Sequence, residues 1–168
     1  MNIIKRFDKY FSKIEESLNS PQLVKWENDN DDKLFGHFKV DDIEYKIECI
    51  KQIGPNWSYT FSYFDINKNI WSYEISHKGT GGLNVLSTVK TELYTFYIKY
   101  NPNSIIFSAI DDSDTRKRLY QNFCEKFCNI NNLKFSNRGN DEYRMFVMFK
   151  KELSETELEE IFQSEIGK

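Results

Sequence analysis

The chain has 168 residues, 39% hydrophobic and 29% charged, with a formal net charge of −3: enough for one domain with a real core and too short for two comfortable ones. No run approaches the roughly 18 apolar residues of a membrane span, and the absence of a basic face disfavours a general binder of nucleic-acid phosphates. Aromatic residues make up 16%, with 14 Phe and 10 Tyr, so the core is expected to be aromatic more than aliphatic.

Ile3, Ile4, Phe7, Tyr10, Phe11, Ile14 and Leu18 fall at helical spacing with Lys, Arg, Asp and Glu between them, which predicts an amphipathic helix over residues 1–18. Its polar face mixes both signs, so the apolar face suits a core better than a membrane surface. Charges interrupt the apolar positions too early for a secretory signal, and a cytoplasmic location is expected.

From about residue 23 the period changes to two. "LVKWEN" suggests a short strand and "NDNDDK" a loop, and "KLFGHFKV" and "IEYKIECI" flank Asp41-Asp42, a two-residue link suited to a hairpin. Ile43, Tyr45, Ile47 and Cys49 share one side of their strand, leaving Glu44, Lys46 and Glu48 for water. After "GPN", the stretch "WSYTFSYF" alternates Trp57, Tyr59, Phe61 and Tyr63 against Ser58, Thr60 and Ser62. "IWSYEISH" then predicts a last meander strand with Trp71, Tyr73 and Ile75 inward.

Past the glycines the period returns to 3.6: Leu86, Val89, Leu93, Phe96, Tyr97 and Tyr100 form the stripe of a helix that stops at "YNPN". "SIIFSAI" at 104–110 lacks polar alternation and reads as a strand buried on both faces. A helix follows with Leu119, Tyr120, Phe123, Cys124 and Phe127 inward, then a hairpin around Gly139-Asn140. Ser154 and Glu157 make a capping box for a C-terminal helix over 154–164. The expected architecture is one α+β domain with a mixed, mainly antiparallel sheet and flanking helices.

The glycine cluster in "SHKGTGGLN" is the main candidate for chemistry. The order meander, glycine-bearing turn, helix, buried strand, helix, hairpin over about 34–150 resembles the GNAT acyltransferase superfamily, minus that family's opening strand. The resemblance implies a coenzyme A loop of the form Q/R-x-x-G-x-G/A, matched by Ser76-His77-Lys78-Gly79-Thr80-Gly81 with Gly82 beyond. Ser76 departs from its opening Gln or Arg. Backbone N–H groups at such a loop meet the cofactor's pyrophosphate, helped by the helix dipole. Lys78 would add charge, and Ser87 and Thr88 hydroxyls in the first turn.

Acetyl-CoA or another acyl-CoA is the implied cofactor, Tyr120 the implied acid for the departing thiolate, and Glu74 and His77 the nearest bases for an amine. Each has a plainer reading: the glycines join a strand to a helix, Tyr120 packs in a core stripe, and Glu74 and His77 are solvated. A second resemblance joins Ser87-Thr88-Val89, Phe107-Ser108-Ala109, Arg116 and Leu119-Tyr120 to small proteins of bacteriophages and mobile elements. It implies a non-catalytic protein that acts on a protein partner.

Cys49, Cys124 and Cys128 form no C-x-x-C pair, and His37 and His77 are the only histidines, so reduced thiols and no metal site are expected. Nucleoside-triphosphate, hydrolase and zinc-protease motifs are absent. Asp111-Asp112-Ser113-Asp114 reads as a helix cap.

Overall fold

A computed structural model describes residues 21–73, 80–110, 114–139 and 143–166; the N-terminal helix expected over 1–18 lies outside them. The elements are β1 (Lys25–Asn30), β2 (Lys33–Val40), β3 (Ile43–Lys51), β4 (Asn56–Asp65), β5 (Ile70–Ser72), α1 (Thr80–Tyr100), β6 (Ser104–Ile110), α2 (Asp114–Asn131), β7 (Lys134–Gly139), β8 (Tyr143–Phe149) and α3 (Glu155–Ile166). The fold is α+β. Its sheet runs β1-β2-β3-β4-β6-β8-β7, with β5 also paired to β4. Of the ladders described, only β4 with β6 is parallel. Among the described residues no helix is long and apolar enough to cross a membrane.

The chain groups into two compact units, Met1–Glu48 with Phe61–Ile98, and Cys49–Thr60 with Lys99–Lys168. In the first, β2 buries Leu34, Phe38 and Val40, and β3 buries Tyr45 and Ile47. Asp41 has φ 49°, the left-handed geometry that the tight β2–β3 hairpin requires. Helix α1 buries Leu86, Val89, Leu93 and Phe96 of its expected stripe, and Val85 besides, while Tyr97 and Tyr100 are half-buried. Its turns are tied to the chain around β1. Gln22 N donates to Thr88 Oγ1 at 2.9 Å, and Trp26 Nε1 donates to Glu92 Oε2 at 2.8 Å.

In the second unit β6 is buried on both sides, as expected from its unbroken apolar run. Ile106 packs with Met145, Val147 and Phe149 of β8 against Ile161 and Phe162 of α3. On the opposite face Phe107 meets Tyr59 and Phe146, and also Tyr120 and Phe123 of α2, at centroid distances of 5.5–6.5 Å. Residues Asn56–Tyr59 of β4 run alongside Ser104–Phe107 in parallel. A β-strand covered by a helix on each side has no polar face to show, which is why its sequence carries no alternation.

Four expectations need correction. Of the acidic loop expected over 28–33, the first half is strand, since β1 runs to Asn30, with an irregularity between Asn28 and Asn30, before Asp32 N closes on Asn30 Oδ1 at 2.9 Å. Ser58 and Ser62, placed on the wet side by period two, are 8% and 1% exposed. The last meander strand is only three residues; Trp71 packs on the Lys46 and His37 side instead of inward, and Tyr73 beyond the strand is 49% exposed. Helix α1 opens at Thr80, so Thr80, Gly81 and Gly82 are helical residues and not a turn before a helix. A glycine-rich first turn carries no apolar stripe, and the helical period becomes visible only past it.

Candidate functional site

The residues singled out by sequence fall into three groups. Glu74, His77, Lys78 and Gly79 lie outside the described residues. Thr80, Gly81 and Gly82 form the first turn of α1, which contains no acidic residue, so that turn carries no carboxylate of its own against the positive end of the helix dipole. Positive φ among the described glycines occurs at Gly54 and Gly139, so Gly81 and Gly82 do not adopt a left-handed backbone. Ser87 and Thr88 are fully buried. They stand about two turns into the helix instead of at its start, and the Thr88 hydroxyl donates to Asn84 O at 2.8 Å.

Tyr120, the third group, belongs to the second unit. It is 3% exposed and its ring stands edge-on to Phe107, with centroids 5.5 Å apart and planes at 61°. In this arrangement the ring is a core component. The helical stripe of α2 places it there, with Cys124 and Phe127 buried beside it in sequence.

A second constellation stands in the first unit on the side of β3 that period two assigns to water, the side of Glu44, Lys46 and Glu48. Lys46 Nζ lies 3.3 Å from Glu48 Oε1, and the two side chains are only 16% and 14% exposed. The same ammonium stands 4.6 Å from the Trp71 ring centroid and 5.9 Å from that of Phe35. Trp71 is also edge-on to His37 and Phe64, at 5.9 and 5.5 Å. Tyr73 Oη donates to Glu48 Oε2 at 3.4 Å. Partial burial first, then the Glu48 charge and this hydrogen bond, hold the phenol above its ordinary 10.0. His37 Nδ1 is 3.5 Å from Glu44 Oε1 without a hydrogen bond, and Ser62 Oγ is buried with no partner.

The signal for this cluster was present in the sequence. Phe35 and His37 share a side of β2, Lys46 and Glu48 a side of β3, and a tryptophan follows on β5. Its weakness is that alternating charges on a strand look like any solvated face.

A third feature is a cleft of about 180 Å³ in the second unit, lined by residues that include Gln52, Asn56, Asn103, Glu157, Glu160 and Ser164. Its amides serve the backbone and the strand starts: Asn56 Nδ2 donates to Ile53 O at 2.8 Å, and Ser104 Oγ donates to Asn56 Oδ1 at 2.8 Å. Among the described residues no group of three or more His, Cys, Asp and Glu side chains is arranged to hold a metal ion. Comparison with protein-family models, curated proteins and solved structures found no match.

Proposed function

We propose that the protein binds an acyl-coenzyme A at the amino-terminal turn of α1. The observation that carries this reading is a 21-residue helix opening on Thr80-Gly81-Gly82 with no acidic residue in its first turn. The N–H groups of a helix's first turn have no partner within the helix and, with the helix dipole behind them, receive a phosphate. Gly82, half-buried at that turn, has no side chain to keep a pyrophosphate from the backbone. Acyl transfer to an amine is the accompanying activity, with Glu74 or His77 as base and Tyr120 as acid. For Tyr120 this role requires its ring to leave the packing with Phe107.

The test is calorimetric titration with acetyl-coenzyme A and with desulfo-coenzyme A, alongside Gly82→Asp. A micromolar dissociation constant, about −8 kcal/mol, lost in Gly82→Asp at unchanged melting temperature, is the expected result. No heat at millimolar ligand removes the cofactor reading.

A second reading, a non-catalytic protein of a phage or mobile element that acts on a protein partner, is favoured by the burial of Tyr120. It is also favoured by exposed large side chains of the first unit, Tyr73 at 49% and Ile70 at 51%. Under it, Gly82→Asp is silent for partner capture and Tyr73→Ala weakens it.

A further inference from the structure

The Lys46 cluster is built as a receptor for a cation. Two aromatic faces, Trp71 at 4.6 Å and Phe35 at 5.9 Å, and a carboxylate at 3.3 Å surround one ammonium group. That is the arrangement by which proteins hold cationic ligands. The ammonium here is the chain's own, and it leaves part of the site unused. Ser62 Oγ and His37 Nδ1, both shut off from solvent, make no hydrogen bond, although buried polar atoms are nearly always paired. Ser62 shares a strand face with Phe64, which touches Trp71, and His37 touches Trp71 directly.

A lysine offers three donors from one point, whereas a guanidinium offers five spread over a plane that also stacks on an indole. The surrounding charge suits a cation too, since Glu44 stands beside His37 on the same side of the meander.

We propose that this face binds an arginine side chain of a basic peptide, and that Lys46 is a resident occupant displaced on binding. The guanidinium takes the place of the Lys46 ammonium between Trp71 and Phe35. It pairs with Glu48 and donates to Ser62 and His37, which Lys46 leaves unmet, while Lys46 swings out to water on its flexible stem. This proposal narrows the partner chemistry of the interaction reading and is independent of whether coenzyme A binds.

A ligand that must first displace a resident group pays for the fraction of time the site is filled. Removing Lys46 should therefore tighten binding. The experiment titrates the full chain, at low salt, with the blocked tripeptide Gly-Arg-Gly and with its uncharged citrulline counterpart, following the three tryptophan indole signals by NMR. In the wild type the arginine peptide shifts the Trp71 signal at millimolar concentration and the citrulline peptide does not. In Lys46→Ala the arginine peptide binds about tenfold tighter, and Lys90→Ala, the same charge change on an exposed position of α1, has no such effect. Trp71→Leu abolishes binding, and Glu48→Gln does the same where the tryptophan variant does not fold. Equal affinity in Lys46→Ala and Lys90→Ala, or equal binding of citrulline, overturns the proposal. Binding through other surfaces, with the Trp71 signal unmoved, overturns it while leaving the interaction reading intact.

Discussion

Trp26 stands directly across from Gly36 in the β1–β2 ladder, and two of its ring carbons lie 3.2 Å from the point where a Cβ on Gly36 would sit. Val24 Cγ1 is closer still, at 2.7 Å. The glycine is therefore a space requirement, imposed by an indole that is itself held by its hydrogen bond to Glu92. Gly36→Ala is expected to destabilise the fold by about 1–3 kcal/mol through overpacking, measured by urea denaturation. In a Val24→Ala background most of that loss should disappear, because the tightest contact has gone. An unchanged cost would put the strain at Trp26 instead.

Most of the architecture was legible because each element advertises its own period. The stripe of α1 from Leu86 to Phe96, the unbroken apolar run of β6 and the Asp41-Asp42 link all led to elements of the expected kind. What failed did so where two demands met in one segment. Gly81 and Gly82 read as a turn because glycine is a poor helix former, yet they sit in a helix. Ser58 and Ser62 read as wet because they alternate with aromatics, yet both are buried. Ser58 is satisfied there by Gln52 Nε2 at 3.0 Å and by Ile50 O at 3.2 Å, a pairing that period alone does not reveal. The Lys46 cluster was hidden for the same reason. A strand's polar side is not a solvent side when a tryptophan from a third strand lies over it.

The capping box of α3 should make stability depend on pH in the acid range. Ser154 N and Oγ donate to Glu157 Oε2 at 2.8 and 2.7 Å, and Glu157 N donates back to Ser154 Oγ at 3.3 Å. The backbone donor first, then the hydroxyl, lower the Glu157 carboxyl below its ordinary 4.5. Glu159 is lowered likewise by Gln163 and then Arg138. A carboxyl whose pKa is depressed on folding adds stability above its unfolded value, and that stability is lost as pH falls through the folded value. Melting temperature should therefore hold down to about that unfolded value and decline below it, less steeply in Glu157→Gln. Ser154→Ala should cost about 1 kcal/mol at neutral pH, and a silent Ser154→Ala would remove the cap from this account.

The three thiols should be inert in the native protein. Cys49, Cys124 and Cys128 are at most 2% exposed. Burial, followed by the Glu125 charge, pushes Cys128 up to about 12, and burial with Cys128 and Glu125 nearby holds Cys124 well above 9.0. With a pKa of about 12, only about one Cys128 molecule in ten thousand is thiolate at pH 8, and the thiolate is the reactive form. A disulfide reagent at pH 8 should label none of the three until denaturant is added, then all three together. Rapid labelling of one thiol in buffer would show that α2 or β3 opens locally without global unfolding.

Arg138 links the edge strand β7 to α3 in two ways, and they are separable. Its Nη1 lies 2.6 Å from Glu159 Oε2, and its guanidinium carbon stands 4.2 Å from the ring centroid of Phe162, a fully buried side chain. The ion pair is about half exposed on both sides, where water and salt leave such pairs little net effect. The stack covers an aromatic ring at the margin of the core and is worth about 1 kcal/mol. Arg138→Ala should therefore destabilise by about that amount, and at about 1 M salt, where the screening length is about 3 Å, most of the loss should persist. Arg138→Lys should recover little of it, because an ammonium keeps the charge without the plane. Glu159→Gln should be nearly silent at high salt. If it instead costs as much as Arg138→Ala and the cost vanishes with salt, the ion pair and not the stack fastens this edge of the sheet to α3.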